Sequence, residues 1–474
     1  MASITVRTLS GSDRSLPRAA FETLAASLGE RLVLPGAAGY DEARRVWNGM
    51  IDRRPAAVAR CRGVADVLQC LRFARTHNLV VAVRGGAHNV AGFATCDGGL
   101  VIDLSPMRGI SVDSRARTAR VQAGVTWGEL DRETQVFGLA VPGGVVSTTG
   151  VAGLTLGGGQ GWLRRTYGMS CDSLMSASVI TADGELLTAS DTAHADLFWA
   201  LRGGGGNFGI VTEFEFRLHP IGPIVAFVAP VYPIERARVA LAGFRAFVAT
   251  ASDEVNANAV LWTIPAGPAF PSHLHGRTVV SLAGIFVGEP EHGERVLQPL
   301  RTIDEPLFDM SARLPYTELQ RLFDSFFPKG ELLYYWKGSY LDNLDDDIVA
   351  EIEGATQRRP SPLSMVSIWA LGGAMSRVGP EETAVGSRDA RFLVEILGNW
   401  KELKDTEQNV AWVRGVFDQA QRLSLGRPNF NFPGLAEDTN AFVHAVFGNQ
   451  YQRLVAVKRK YDPTNLFRVN QNVT

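Results

Sequence analysis

Apolar residues in the first third of the chain recur first with the period of a helix and then with that of strands. The segment GVADVLQCLRFARTHNL, residues 63–79, has the spacing of an amphipathic helix. VVAVRGG follows it as a short apolar run that ends in glycine, which indicates a short buried strand. The runs GLVIDL, GISVD and TARVQAG are strand-like, and TWGELDRETQVFG returns to the helical period. This order of short elements predicts an α+β fold.

The middle of the chain has a different pattern. Residues 176–190 hold two β-rich runs around Ala-Asp-Gly, which indicates a hairpin, and residues 209–220 alternate apolar and polar side chains up to a proline. From residue 221 to about 415, strand-like runs such as TVVSLAGIFVG alternate with helical stretches such as DDDIVAEIEGATQ. This alternation predicts a second domain in which helices cover one face of a sheet.

Length, charge and cysteine content limit the classes of protein. The 474 residues are 46% hydrophobic and 20% charged, which favours a globular chain of two domains. The formal net charge of −2, with both signs scattered, disfavours nucleic acid and membranes as partners. No stretch resembles a signal peptide or a membrane span, so we expect a cytoplasmic protein, as a monomer or a homodimer. Four cysteines without CxxC spacing predict buried thiols, no disulfide framework and no metal site.

Three glycine clusters indicate places where the backbone can approach a ligand. They are Gly85-Gly86, residues 157–161 and residues 203–209. Glycine amides can cradle a pyrophosphate without side-chain charges, although a tight turn explains any single cluster equally well. The third cluster formally contains GxGxxG, but it follows a helical segment and precedes a strand-like one, which is the reverse of the order in a Rossmann fold. A Rossmann NAD site is therefore excluded.

Two polar residues stand beside or within strand-like runs. Glu395 interrupts the apolar run ARFLVEILGNW, and such a carboxylate requires either a partner, such as Arg388 or Arg391, or a chemical role. His88 follows VVAVRGG, and a histidine in that place is by itself more often structural than functional. Several aromatic residues belong either to the core or to the wall of a pocket: Tyr334, Tyr335, Trp336, Trp262 and Trp369.

Four segments in chain order carry a resemblance to a known family: RGGAHNVAGFATCDGGLVIDLSPM, TTGVAGLTLGGGQGWLRRTYGMSCDSL, DLFWALRGGGGNFGIVTEFEFRLHP and YDPTNLFRVNQN. Together they resemble FAD-linked oxidases with the fold of vanillyl-alcohol oxidase and p-cresol methylhydroxylase, in the berberine-bridge-enzyme-like branch. The resemblance implies a two-part FAD-binding domain, residues 1–220 and 416–474. It also implies an inserted α+β substrate-binding domain, residues 221–415, with an antiparallel sheet covered by helices.

The resemblance further implies FAD attached covalently through one residue. His88 stands where the family joins a histidine to the 8α-methyl carbon of the flavin. Val146 stands eleven residues before the glycine triplet, where many members carry a second attachment cysteine, so a single attachment is expected. The expected cofactor-binding residues are His88, Arg84, Gly85, Gly86, Ala87, Asn89, Val146, Thr149, Gly150, Gly153, Gly157, Gly158, Gly161, Gly209, Val211, Asn429 and Asn431.

Three catalytic positions follow from the same resemblance. Glu395, five residues before Trp400, corresponds to the catalytic glutamate of the family. Gln160 directly follows the glycine triplet, where plant relatives often carry a tyrosine. Asn431 is the second asparagine of Asn-Phe-Asn, which stands here in place of the family's Tyr-x-Asn.

The activity implied is that of an FAD-dependent oxidase. It takes a hydride from a small ring-bearing alcohol or amine to flavin N5, Glu395 takes the O–H or N–H proton, and O2 is reduced to H2O2. Thr149, at the position of a small β-branched gatekeeper beside the flavin, favours reaction with oxygen. Two alternatives stay open: an oxidative cyclase or desaturase of a secondary-metabolite pathway, and a flavin-binding protein without turnover.

Overall fold

The computed structural model describes residues 3–424, 426–435 and 439–474. Up to residue 220 the chain forms short strands and helices in the mixed order that the sequence predicts. These are β1 Ser3–Arg7, β2 Asp13–Pro17, α1 Glu22–Leu28, β3 Leu32–Val33, α2 Tyr40–Arg44, β4 Ala57–Arg60, α3 Val64–His77, β5 Val81–Arg84, β6 Leu100–Asp103, β7 Ile110–Asp113, β8 Thr118–Gln122, α4 Trp127–Gln135, β9 Leu139–Ala140, α5 Val151–Leu156, α6 Arg164–Tyr167, β10 Leu174–Ile180, β11 Leu186–Ser190, α7 Ala195–Leu201, β12 Ile210–Arg217 and β13 His219–Pro220.

Two sheets organise this first part of the chain. One has the order β3-β4-β6-β5, with β4 and β5 both parallel to β6, and the other is antiparallel in the order β11-β10-β12-β8-β7. Helix α3 packs on the first sheet through Val67, Leu71 and Ala74, whose spacing places them on one helix face. The chain leaves the carboxyl end of β5 at Arg84 and enters the glycine-rich segment there. That edge of a parallel sheet is a common place for ligands.

The rest of the chain adds a second group of elements. These are β14 Ile224–Val228, β15 Pro230–Pro233, α8 Ala237–Thr250, β16 Val255–Thr263, β17 Thr278–Phe286, α9 Pro290–Arg301, β18 Phe308–Asp309, β19 Ala312–Pro315, α10 Tyr316–Leu319, β20 Leu333–Leu341, α11 Asp346–Gln357, β21 Met365–Ala370, α12 Ala374–Arg377, β22 Phe392–Trp400, α13 Thr406–Arg422, β23 Arg427–Pro433, α14 Thr439–Phe447 and α15 Tyr451–Tyr461.

A ten-stranded antiparallel sheet forms the second part. Its main order is β18-β15-β17-β16-β21-β22-β20-β23, and β14 pairs with both β17 and β19. Helices α8, α9, α11 and α13 bury their apolar faces against one side of this sheet, for example through Leu241, Leu297, Ile352 and Val413. The predicted α+β class, with helices on one face of an antiparallel sheet, is confirmed.

The last residues return to the first part of the chain. Helix α15 packs against α7, and the buried Lys458 donates hydrogen bonds to the Asn207 carbonyl at 2.8 Å and to Asp462 at 2.7 Å. Strand β23, however, pairs with β20 of the ten-stranded sheet, although it lies after residue 416. The domain boundaries stay a prediction, and this pairing favours a return to the first part after β23. In the described ranges, no helix combines the length and apolar character that a membrane crossing needs.

Candidate active site

A cavity of about 320 Å³ lies between the two parts of the chain. One side is formed by the segment after β5, by helix α5 with the segment before it, and by the segment before β12. The C-terminal residues 467–471 complete this side. The other side is the face of the ten-stranded sheet that the helices leave free. It contributes Val260, Trp336, Met365, Ser367, Trp369, Glu395 and Leu397.

The glycine side of the cavity is built by backbones that touch. A Cβ on Gly86 would lie 2.5 Å from the Cα of Gly150, and a Cβ on Gly161 would lie 1.7 Å from the Gly143 carbonyl oxygen, so only glycine permits these contacts. Gly153 and Gly206 also line the cavity, yet a Cβ on either would meet no protein atom within 4 Å. At these glycines the cavity wall is bare backbone, and this open surface fits the phosphates and rings of a dinucleotide.

His88 lies at this wall with both ring nitrogens near hydroxyl groups. Nε2 is 3.1 Å from Thr148 Oγ1, and Nδ1 is 3.4 Å from Thr149 Oγ1. Ala87, directly before it, has a φ of 60°, which turns the chain sharply after the strand. Burial lowers the pKa of His88 to about 3, so its imidazole is neutral at physiological pH. A neutral, partly exposed imidazole can act as a nucleophile towards a bound group.

Glu395 faces the cavity from β22 on the opposite side. It is paired in register with Ser367 of β21 and Gly338 of β20, so all three share one face of the sheet. Trp369 Nε1 donates a hydrogen bond to Oε2 at 2.8 Å. Burial raises the pKa of Glu395 to about 7, while the Trp369 hydrogen bond and the charge of Arg164 lower it.

The two arginines considered as partners of Glu395 lie away from it. Arg388 forms a buried ion pair with Asp172 at 2.6 Å, and Arg391 is exposed. Arg164 is fully buried below Trp369, with its guanidinium 4.7 Å from the indole centroid, and it donates to the carbonyls of Ala370, Gly161 and Ala257. Glu395 is thus a carboxyl in an aromatic pocket, stabilised by an indole N–H and a cation behind that indole.

Gln160 and Asn431 lie at the boundary between the two walls. Gln160 Nε2 donates to the Tyr340 hydroxyl at 2.8 Å, and its Oε1 has no hydrogen-bond partner in the part of the chain that is described. Asn431 Nδ2 donates to the Gly157 carbonyl at 3.2 Å, and its backbone N–H donates to Asn429 Oδ1 at 3.1 Å. These bonds hold both amides at the cavity edge.

Most of the residues expected at the site line the cavity. They are Gly85, Gly86, Ala87, His88, Asn89, Val146, Thr149, Gly150, Gly153, Gln160, Gly161, Gly209, Val211, Glu395 and Asn431. Four others lie behind it. Arg84 is buried and donates to the carbonyls of Ala43 and Ala94, and Asn429 supports Asn431. Gly157 accepts the Asn431 bond, and Gly158 packs against Met169 with a φ of 96°.

Other residues of the site were not predicted as such from the sequence. Trp47 stacks on His88, Arg164 lies behind Trp369, and Tyr340 binds Gln160. Of the aromatic residues that the sequence singles out, Trp336 and Trp369 line the cavity. Phe323, Phe327 and Phe432, which it does not single out, line it as well. The only sequence signal for Trp47 was a tryptophan in a short polar stretch, RRVWNGMID, which does not distinguish a site from a core.

Comparison with known proteins agrees with this geometry. Residues 55–190 match the family model described as FAD binding domain, and residues 429–474 match the one described as berberine and berberine like. FAD-linked oxidoreductase YgaK of Bacillus subtilis is 32% identical over 94% of this chain and 96% of its own. (R)-6-hydroxynicotine oxidase of Paenarthrobacter nicotinovorans is 31% identical over 94% of this chain and 97% of its own.

A solved structure has the same fold. Wild-type BBE-like 1 of Physcomitrella patens superposes with a TM-score of 0.84 at 22% identity, and the match covers 96% of this chain and 99% of the other. The expected family, fold, FAD cofactor and enzyme class are confirmed. The chain belongs to the berberine-bridge-enzyme-like FAD-linked oxidoreductases, with the fold of vanillyl-alcohol oxidase and p-cresol methylhydroxylase.

Proposed function

We propose that the protein is an oxidase for a small ring-bearing alcohol or amine, with Glu395 as the base and O2 as the final electron acceptor. The observation that carries this proposal is the carboxyl of Glu395, which has a pKa of about 7 and faces an aromatic cavity opposite the glycine wall. A base that titrates near neutral pH removes an O–H or N–H proton effectively. The named activity of the 6-hydroxynicotine relative also lies in the oxidase class.

FAD, when bound, supplies the acceptor for the hydride. In this proposal the first part of the chain and the C-terminal segment would hold it, and the backbone of residues 84–89 and 146–153 would bind its phosphates. Gly153 and Gly206 leave room there, and His88 would supply the one covalent attachment, to the 8α carbon. Val146 lines the same cavity and has no thiol for a second bond.

The protein's own residues bind the substrate ring and remove the proton. Trp336, Trp369 and Phe323 form apolar walls that exclude water and hold a ring by face or edge contact. Trp369 fixes Oε2 of Glu395, which directs Oε1 to the substrate O–H or N–H. Loss of that proton to Glu395 would let the adjacent C–H give up its hydride to the flavin that the opposite side of the cavity would hold. Gln160 lines the cavity beside Tyr340, and its amide is placed to bind a second polar group on the substrate.

The first experiment combines a substrate panel with substitution of the base. Ring-bearing alcohols and amines are screened for peroxide formation, and Glu395→Gln is compared on the best substrate. We expect kcat to fall by about 10²- to 10⁴-fold, with an unchanged flavin spectrum, because the amide cannot accept the proton. An unreduced rate in Glu395→Gln contradicts the assignment of the base.

Product analysis of the same reactions separates the alternatives. A ring-closed or desaturated product in place of a simple carbonyl or imine identifies a cyclase or desaturase. A flavin that is photoreduced and then reoxidised by air, yet takes electrons from no member of the panel, favours a binding protein without turnover.

The covalent bond is tested by acid denaturation and peptide mapping. The yellow protein is precipitated in acid, digested and analysed by mass spectrometry beside His88→Ala. We expect flavin on the peptide that contains His88 and free flavin in the supernatant of the variant. Flavin released from wild type would show that the cofactor is held without a covalent bond.

A further inference from the structure

Three aromatic rings form a column that ends at the proposed attachment residue. The imidazole of His88 stacks on the indole of Trp47, with ring centroids 4.4 Å apart and planes inclined by 23°. On its other face Trp47 stacks on the phenol ring of Tyr334, at 3.8 Å and 14°, and Trp336 contacts the indole edge-on at 5.1 Å. Trp47 and Tyr334 are both fully buried. We call His88, Trp47 and Tyr334 the aromatic column.

The column joins the two parts of the molecule. His88 and Trp47 belong to the first part, in the segments after β5 and α2, whereas Tyr334 belongs to β20 of the ten-stranded sheet. Backbone bonds fix Trp47 from both parts: its N–H donates to the Ala87 carbonyl at 3.0 Å, and its carbonyl accepts from Gly330 at 2.9 Å. Its indole Nε1 donates to the Phe327 carbonyl at 3.1 Å.

The neighbouring Asn48 locks Tyr334 in the same arrangement. Its amide donates to the carbonyls of Tyr334 and Val90, at 2.8 and 2.7 Å, and accepts from the Tyr334 N–H at 3.1 Å. The phenol hydroxyl donates to the Pro328 carbonyl at 2.8 Å. Each residue of the column is therefore held by several hydrogen bonds of its ring or backbone, so the plane of the imidazole is set by a rigid support.

From this geometry we propose that Trp47 and Tyr334 are positioning residues for flavin attachment, so that His88 becomes competent only when the ten-stranded sheet is docked on the first part. The inference rests on the proposed bond between His88 and FAD. The column fixes the plane of the ring, and the hydroxyls of Thr148 and Thr149 fix its rotation within that plane. Formation of a covalent bond is sensitive to displacements of about 1 Å, which can change a rate about 100-fold.

The attachment step balances with O2 as the co-reactant. A ring nitrogen of His88 forms a bond to the 8α-methyl carbon, which loses one hydrogen, and the imidazole N–H is lost as well. Both hydrogens and the electron pair pass to the flavin ring, and O2 then accepts them as H2O2. The neutral imidazole that this step needs is the form that burial of His88 favours.

The test measures how fast covalent flavin forms, independently of turnover. Full-length apoprotein from riboflavin-limited cells is mixed with FAD in air, and acid-stable flavin is followed over time in wild type, Trp47→Leu and Tyr334→Val. We expect both variants to attach flavin at least about tenfold more slowly than wild type. Trp47→Phe, which keeps a ring in the column, restores most of the rate.

Trp262→Leu is the matched control. Trp262 lies in the same apolar cluster and donates to Ser281 at 2.7 Å, but its ring contacts are Phe270 and Phe326. The proposal predicts a wild-type attachment rate for this variant. If one column variant does not fold, the attachment rate of the other decides the test. Tyr334→Val is expected to fold, because valine suits a position within a strand.

Three further outcomes contradict either the positioning role or the attachment itself. Wild-type rates in both column variants overturn the positioning role while leaving attachment to His88 intact. An equally slow Trp262→Leu overturns it too, because any loss of aromatic packing would then suffice. Absence of acid-stable flavin in wild type removes the attachment itself and leaves the oxidase proposal to its own substrate test.

Discussion

At the scale of single residues, the pKa of Glu395 results from contributions of opposite sign. Burial raises its pKa to about 7 and is the largest contribution, whereas the Trp369 hydrogen bond and the Arg164 charge lower it. The Trp369 bond can be removed without adding or removing a charge, because phenylalanine keeps an apolar ring. It is therefore the contribution that a single substitution isolates.

We expect Trp369→Phe to move the pH dependence of oxidation upward. Glu395 acts as a base only when it is deprotonated, so activity rises with pH through its pKa. Loss of the N–H donor raises that pKa further, by about one unit if the bond to the carboxylate contributes roughly 1.5 kcal/mol. The measurement is kcat/KM against pH on the best substrate of the panel.

Trp336→Phe provides the comparison, since its Nε1 donates to Asn399 at 2.7 Å and not to Glu395. Its acid-side midpoint is expected to stay at the wild-type value. An unshifted midpoint in Trp369→Phe would mean that the indole does not control the base.

At the scale of elements, helix α5 shows a conflict between stability and binding. Gly153 lies inside this helix, where alanine is more favourable by about 1 kcal/mol, and an added Cβ meets no protein atom. Because Gly153 also lines the cavity, that methyl group would occupy space that we propose for FAD.

Gly153→Ala is expected to raise the unfolding free energy of the apoprotein by up to about 1 kcal/mol and to weaken FAD binding. Thermal unfolding of the apoprotein measures the first effect. Unfolding with and without FAD in a His88→Ala background, where the proposed covalent bond cannot form, measures the second. Gly150→Ala is the contrasting variant, because its Cβ would lie 2.5 Å from the backbone nitrogen of Gly86, and it should lower apoprotein stability as well. Equal FAD affinity in Gly153→Ala and wild type would place the cofactor elsewhere.

Local periodicity predicted several elements and left others unresolved. The helix expected over residues 63–79 is α3, the hairpin at 176–190 is β10 and β11, and the acidic strand is β22. The pairing of β23 with β20 was not expected, since register between strands distant in sequence depends on tertiary packing. Two-residue strands such as β9 and β13 are too short to carry a period.

The residues of the site also divide into those with a local signal in the sequence and those without one. Glu395 stood out because a carboxyl in an apolar strand needs an explanation, and the glycines stood out by their clustering. Trp47 and Arg164 did not, because a tryptophan or an arginine gains its role from residues that the fold brings next to it. His88 was assigned by resemblance, and its column with Trp47 and Tyr334 required the three-dimensional structure.

At the scale of the whole molecule, polar contacts close the two parts over the cavity. Asp324 accepts from the backbone N–H and the hydroxyl of Ser147, at 2.8 and 2.5 Å. Gln320 donates to Asp131 at 3.1 Å and to the Gly144 carbonyl at 3.2 Å. Asp131 is buried on α4, and burial raises its pKa to about 7. Closure of the molecule thus includes a carboxyl that is costly to ionise.

We therefore expect Asp131→Asn to be more stable than wild type at pH 8 and to lose that advantage in acid. A pKa raised in the folded state means that the folded protein binds the proton more tightly, so stability is lost as pH rises from about 4 to 7. The gain from asparagine between pH 4 and pH 8 is expected to be about 2 to 4 kcal/mol. Denaturant unfolding at both pH values measures it. Comparing the same two proteins in the Glu395→Gln background removes the second carboxyl whose pKa is raised. If the effect of Asp131→Asn on stability does not depend on pH, Asp131 is not held in its protonated form.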